Sequence, residues 1–391
     1  LGDHRQPHRH RLREHARQPF PQRSQQKNIH SGHQSRHIPA QTGQDGAFCD
    51  ALGVDLRFHL WAQRAVADQQ EARLRALPRP IQLRPRGLSS VLTGATGSGT
   101  IVDGEAISPN ILSHTRVLPD GSRNTFALQR LKNKLGNHSN ASSEVEYQDT
   151  VAWRVGDEGS GVRTIVEMVN LTRLDCTIGS ATAMRTGTAQ ATHHAIHRSA
   201  FGARLVDQPL MQNVLADLAV ESEAATTVAL WLAQLTDRAT AGDDRAAALR
   251  RISLAVTKYH VCKRGPIHAA EALECLGGNG YIEDSRMPRL YREAPLMSIW
   301  EGSGNVAALD ALRAMARQPE TLGIYLDEIR SAAGADRHFD GAVHALEETL
   351  TGLDPSDAGQ LQFQARRIVG DMASLLQGSL LIRYGDPAVS D

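Results

Sequence analysis

A glutamate set between an aromatic residue and glycines, Trp300-Glu301-Gly302-Ser303-Gly304, is the position in this chain best suited to move a proton. The glycine after it admits a left-handed backbone and close approach of a ligand. The tryptophan before it can shield the carboxylate, and partial desolvation suits a carboxylate to general-base work. Upstream stand a second glycine cluster, Gly277-Gly278-Asn279-Gly280-Tyr281, and a run of mixed charge containing Arg286, Arg289, Arg292 and Glu293. On residue types and spacing alone, a second reading stays open. It is a glycine-punctuated connection between two buried helices, with Glu301 a solvated turn residue.

Such a glutamate needs a scaffold, and the surrounding periodicity predicts helices. Over 163–199, Ile165, Met168, Val169, Leu171, Leu174 and Ile178 recur at helical spacing. A second helix is predicted over 209–238, where Pro209 suits a first turn. A third covers 243–276 and is ended by Gly277-Gly278. A fourth follows Glu301-Gly302, with Ser303 placed to cap it. Short glycine-marked joints between long helices predict an antiparallel bundle. Past Arg317, residues 321–333, 339–350 and 358–383 are three further amphipathic stretches. Ahead of the bundle, a turn at Pro119-Asp120-Gly121 and the alternation of Ser143–Tyr147 predict strands, and Gly156-Asp157-Glu158-Gly159-Ser160-Gly161 predicts a loop into the helices.

The segments LGGNGY (276–281), MPRLYRE (287–293) and SIWEGSGN (298–305) resemble the C-terminal signature of the acyl-CoA dehydrogenase family, and most closely its alkylation-response branch. The resemblance runs from about Arg116 to the C-terminus. It implies a mainly α fold: a partial middle β-domain over 116–162, the family's helical bundle over 163–318 and a helical extension over 319–391. Lys134-Leu135-Gly136 and Ser139-Asn140-Ala141-Ser142 are landmarks of the β part. The chemistry implied is α,β-dehydrogenation of an acyl-CoA thioester with FAD. Glu301 would remove the α-proton while hydride leaves the β-carbon for the flavin N5.

Family contacts carry over residue by residue as implications of the resemblance. Arg198 and Phe201-Gly202 match an R-x-x-F-G element whose arginine holds the flavin pyrophosphate across a subunit interface. The planar fork of an arginine suits phosphate oxygens. Gln208 stands one residue before the family's glutamine position, which Pro209 occupies. Gly277 and Gly278 match backbone near the adenine end. Ser303 and Asn305 match positions that contact the flavin's phosphate and ribityl region, and Arg173 matches an arginine on the substrate side. Without the resemblance, Arg198 and Arg173 read as surface or interhelix ion-pair residues. The implied partners are an acyl-CoA substrate, an electron-accepting flavoprotein and further copies of the chain in a homodimer or homotetramer.

In this branch the C-terminal extension is associated with DNA binding and assembly. A DNA-associated flavoprotein of the response to alkylation damage, with little dehydrogenase activity, is therefore the rival expectation. Residues 319–391 hold five arginines, no lysine and twelve acidic residues. A face that contacts phosphates is basic, so this acidity favours helix packing or oligomer formation over DNA. Over the whole chain 43 basic residues balance 43 acidic ones, which removes a global electrostatic case for nucleic acid or membrane. No apolar run reaches the roughly 20 residues of a membrane span. The four scattered cysteines, without a CxxC, read as reduced thiols of a cytoplasmic protein.

Residues 1–115 have another character. The first forty contain seven His, seven Arg and six Gln, too little apolar surface to offset chain entropy. Three readings stay open: a disordered basic arm, a metal-binding tract around His4, His8, His10 and His15, or GC-rich DNA translated out of frame. The metal reading is weakest, because no helix face gathers the histidines and no supporting residues surround them. The out-of-frame reading is favoured, because the family's N-terminal helical domain and most of its β-domain belong here. In Val91–Val102, VLTGATGSGTIV, Thr100 and Ile101 stand where a phosphate-binding loop needs Lys and Ser/Thr, so a flexible linker is expected. The T-E-x-x-G-G-S-D-type and W-F/I-[ST] segments with which the family's β-domain surrounds the isoalloxazine do not occur upstream of Arg116. Half of the flavin site is expected to be missing, and the chain by itself to carry little or no FAD.

Overall fold

The computed structural model describes residues 81–83, 89–92, 99–102, 111–114, 117–147 and 149–386. The expectations for residues 1–80, the histidine tract among them, lie outside the described residues. Seven strands come first: β1 (Ile81–Leu83), β2 (Ser89–Leu92), β3 (Gly99–Val102), β4 (Ile111–His114), β5 (Ala127–Leu131), β6 (Ser143–Glu146) and β7 (Thr150–Val155). Five of them form an antiparallel sheet in the order β1-β7-β4-β3-β2, and β5 pairs with β6 in a separate ribbon.

Four strands of this sheet, β1 to β4, lie before Arg116. The sheet corrects the linker expectation at both ends of Val91–Val102, since Ser90 pairs with Ile101 and Leu92 with Gly99. The glycine-rich residues between those strands are not among the described ones. Strands of three or four residues are too short to reveal a period. They are legible only as brief β-branched and aliphatic runs such as Thr100-Ile101-Val102. Longer alternation was easier to read. In β6, Ser143 and Val145 face inward while Glu144 and Glu146 face solvent.

Two side chains organise the region after Arg116. The Asn124 amide donates to Val151 O at 2.7 Å and its carbonyl accepts from Val151 N at 2.9 Å, copying a strand partner for β7. Lys134 Nζ donates to Asn137 O, Asn140 O and Ser142 Oγ, closing the loop between β5 and β6.

The helical part contains α1 (Gly161–His197), α2 (Pro209–Thr240), α3 (Asp244–Glu274), α4 (Gly278–Tyr281), α5 (Met287–Ile299), α6 (Gly304–Arg317), α7 (Pro319–Arg330), α8 (Arg337–Thr351) and α9 (Ala358–Tyr384). Between α1 and α2 lies a small hairpin of β8 (Ser199–Ala200) and β9 (Ala203–Arg204). The long helices α1, α2 and α3 pack on one another through short connections, which makes neighbours antiparallel. Their buried stripes, with Met184, Val228, Leu232, Leu235, Ile252 and Val256, join Ala308 and Ala311 of α6 and Ile368, Met372 and Leu376 of α9 in one core.

Caps define the starts of several helices. Asp243 accepts from Ala246 N, Asp336 from His338 N and Phe339 N, and Asp357 from Gln360 N. The helix α5 was not foreseen. Pro288 suits its first turn, but Pro295 inside it interrupts the sequence signal. Among the described residues no helix is long and apolar enough to cross a membrane. Cys176, Cys262 and Cys275 are buried free thiols.

Candidate active site

Helix α5 ends at Ile299, and Trp300 to Ser303 turn the chain into α6. Glu301, at the centre of this turn, is half-buried and has φ 55°, and Gly302 follows with φ 99°. A non-glycine residue in the left-handed region costs about 1–3 kcal/mol and persists only where its surroundings over-determine it. Those surroundings are two buried cations. Arg173 of α1, 7% exposed, donates from Nε to Glu301 O at 3.1 Å. Lys258 of α3, 1% exposed, donates from Nζ to Gly302 O and, at 3.4 Å, to Ser298 O. Gly302 itself is obligatory, because a Cβ there would lie 2.9 Å from Val306 Cγ1.

Arg173 is held in turn by Asp310 of α6, through Nη1 to Oδ2 at 2.6 Å. Arg251 of α3 donates to the same carboxylate at 3.0 and 3.3 Å. Burial alone would push the Asp310 carboxyl up, but hydrogen bonds and charge from Arg251 and Arg173 outweigh it and leave it below its ordinary value. Burial lowers the Lys258 ammonium from the usual lysine range, with the nearby thiols and Glu301 acting against that and Arg173 adding to it. Burial pushes the Cys176 thiol, which borders the same region, up to about 12, so it stays neutral. The structure thus places Arg173 beneath the Glu301 turn, with Nε on the Glu301 backbone and Nη1 on Asp310.

Sequence reasoning missed Lys258, Asp310 and Arg251. Two of them did leave a signal. Lys258 lies in the apolar run Ile252–Val261, and Asp310 lies between Leu309 and Ala311 on the inward stripe of α6. A charge on a core-facing stripe needs a partner.

Of the residues matched to flavin contacts, Arg198, Phe201, Gly202, Gly277 and Gly278 belong to other segments and are exposed, Gln208 is half-buried, and Ser303 and Asn305 lie at the turn itself. Phe201 and Gly202, with φ 53° and 85°, form the two-residue link of the β8–β9 hairpin and have the positive φ pair of a type I′ turn. Phe201 is 98% exposed. Arg198, at the end of α1, is exposed, and among the described residues no carboxylate pairs with its guanidinium. Gln208 donates from Nε2 to Ala200 O at 2.9 Å, tying the hairpin to the start of α2. Gly277 has φ 57°, and nothing lies within 4 Å of a Cβ built on it or on Gly278. Ser303 and Asn305 are exposed at the start of α6. The expectation that Ser303 caps α6 is corrected: it occupies the cap position, but its hydroxyl stays off the leading N–H groups.

This donor set fits the phosphate-bearing part of a flavin dinucleotide: an unpaired guanidinium, uncovered glycine backbone, a free hydroxyl and a free amide. Among the described residues no cluster of His, Cys, Asp and Glu could hold a metal ion. A cleft lined by Asn170, Arg251, Leu254 and Thr321 includes none of these motif residues.

Comparison with known proteins bears on the fold and the family. Residues 159–316 match the family described as acyl-CoA dehydrogenase, C-terminal domain. The Escherichia coli (strain K12) protein AidB is 42% identical over 275 residues, covering 70% of this chain and 49% of AidB. Caenorhabditis elegans ACDH-11 in complex with C11-CoA superposes with a TM-score of 0.68 at 24% identity, over 78% of this chain and 59% of that one. An acyl-CoA dehydrogenase complexed with FAD from Bacillus anthracis gives a TM-score of 0.54 at 14% identity, over 76% and 59%. The two structural likenesses speak to the fold. The chain spans about half the length of the curated relatives it matches. Through its helical bundle, and by its likeness to AidB, the chain belongs to the acyl-CoA dehydrogenase family.

Proposed function

We propose that this chain contributes the proton-abstracting half of an FAD-dependent acyl-CoA dehydrogenase site, with Glu301 as the base. The observation that carries the reading is the strained Glu301 turn, held in a left-handed conformation by buried side chains from two helices. Strain over-determined in this way clusters at functional sites. Glu301 would accept the α-proton of an acyl-CoA thioester, and Trp300 beside it would limit water at the carboxylate. Arg198, Phe201, Gln208, Gly277, Gly278, Ser303 and Asn305 would hold the cofactor. Bound FAD would supply the hydride acceptor.

Arg173 supports the reading as a brace of the turn, which also keeps it close to the substrate side. The partners in this reading are an acyl-CoA, an electron-accepting flavoprotein and further copies of the chain, in the cytoplasm. The test is Glu301→Gln in flavin-loaded protein, made from a version whose upstream segment is frame-corrected so that FAD binds, with loss of the α-proton from an acyl-CoA followed by NMR in D2O. The amide keeps size and polarity but accepts no proton, so the rate should fall by about 10²–10⁴-fold with flavin still bound. An unchanged rate would overturn the assignment. A salt-steep affinity for duplex DNA without dependence on Glu301 would favour the DNA-associated alternative instead.

A further inference from the structure

We propose that Lys258 is a positioning residue for Glu301, gripping the carbonyls on either side of the base turn and so fixing the turn's left-handed geometry. The inference rests on the reading of Glu301 as the base. Lys258 lies in the middle of α3, is 1% exposed, and has no carboxylate within ion-pairing distance among the described residues. An ammonium buried without a counter-ion is unfavourable, and such groups persist where their donors are needed.

Among the described residues its donors go to two carbonyls, Gly302 O just after the base and Ser298 O three residues before it. Ser298 belongs to the last turn of α5, where carbonyls lack intrahelical partners. The α5 end is otherwise closed by Trp300 N donating to Leu296 O at 3.0 Å. Lys258 therefore ties the end of α5 to the start of α6 across the residue that must aim its carboxylate. Arg173 of α1 donates to a third carbonyl here, Glu301 O. With both cations in place, the backbone of 298–302 is fixed to the two helices beneath it, and the Glu301 side chain is free for its substrate.

A lysine that merely fills space would behave differently on replacement. An apolar side chain of similar length would substitute at little cost, and neither the turn nor catalysis would notice. Lys258→Met makes that comparison. Hydrogen–deuterium exchange, which needs no flavin, should speed up by at least about tenfold in peptides covering 298–305 and stay native elsewhere in the bundle. In flavin-loaded protein, kcat for α-proton removal should fall about 10²-fold, with KM for the acyl-CoA changed by less than about threefold, as for a misplaced group. Lys258→Arg, which keeps charge and donors, should recover part of both.

Native exchange at 298–305 in Lys258→Met overturns the proposal, as does faster exchange spread evenly over the bundle or an unchanged kcat. Should the Met variant fail to fold, Lys258→Gln carries the same exchange test with an uncharged amide on a shorter stem. The two readings fail separately. An active Glu301→Gln removes the base assignment whatever the exchange shows, whereas an inactive Glu301→Gln beside a native turn in Lys258→Met removes the role of Lys258 alone.

Discussion

Two turns in this molecule share a backbone and differ in everything around it. Phe201-Gly202 and Glu301-Gly302 each place a non-glycine residue near φ 54° ahead of a glycine with large positive φ, at 53° and 85° in one and 55° and 99° in the other. At Glu301 the strain is answered from inside the chain by Arg173 and Lys258. At Phe201 a side chain that is 98% exposed stands on a hairpin tied at its base by Gln208. The difference separates two kinds of work. Under the proposed function, a base must be aimed before substrate arrives, whereas a cofactor contact gains its order from the cofactor or from a second copy of the chain.

The comparison breaks most visibly if the brace is removed. Asp310→Ala leaves Arg173 buried without its carboxylate, and removing one partner of a buried pair costs about 3–5 kcal/mol. A urea-unfolding midpoint should fall accordingly. The equivalent change beside the open hairpin, Asp207→Ala, breaks an exposed pair with Arg204 and should leave the midpoint where it was. Equal effects would show that the two turns are not differently supported.

The glycines sharpen the same contrast. At Gly202, nothing lies within 4 Å of an added Cβ, so Gly202→Ala meets only the backbone penalty of the left-handed region, about 1–2 kcal/mol. At Gly302 the same methyl also runs into Val306 Cγ1 at 2.9 Å, and Gly302→Ala should cost about 1–3 kcal/mol more, as overpacking does. Thermal unfolding of the pair measures the difference, and a Gly202→Ala variant as unstable as Gly302→Ala would contradict it.

Acid should weaken the brace in a defined window. The Asp310 carboxyl lies below its ordinary 3.8 in the folded chain because its two arginines outweigh its burial. Its contribution is therefore fully present above pH 3.8 and is lost as the pH falls through the lower folded value. The stability gap between wild type and Asp310→Asn should be widest above that pH and close below it. A gap that widened on acidification would mean the sign is wrong.

Much of this arrangement could be read from the sequence, and the parts that could not have physical causes. The long helices announced themselves through apolar spacing, and the Glu301 turn through its glycines and neighbouring motifs. The sheet before Arg116 did not, because three- and four-residue strands give periodicity nothing to repeat over. Helix α5 was hidden by Pro295, which a single sequence cannot distinguish from a terminator. The brace was overlooked for a different reason. Lys258, Asp310 and Arg251 lie on elements whose pairing only the folded bundle specifies, so their types were visible but their meeting point was not. Arg173 shows both sides of the problem: an interhelix ion pair was one of its readings from sequence, whereas its partner Asp310 and its bond to the Glu301 backbone were not legible.

The smallest expected effect tests the open side. Phe201→Ala removes a large aromatic ring, a change that costs about 3–5 kcal/mol in a core. Here the ring is 98% exposed, and alanine at φ 53° meets much the same backbone penalty as phenylalanine. Stability by urea unfolding should therefore move by less than about 0.5 kcal/mol, as for surface changes away from special features. Yet phenylalanine is a poor residue for a type I′ turn, which favours Asn, Asp and Gly. Its presence there makes sense if the ring serves a surface supplied by something else, so FAD retention through gel filtration should drop in flavin-loaded Phe201→Ala while the fold stays intact. A loss of stability above about 1 kcal/mol would show instead that the ring is already packed in the free chain. The contrast between a braced turn and an open one would then be lost.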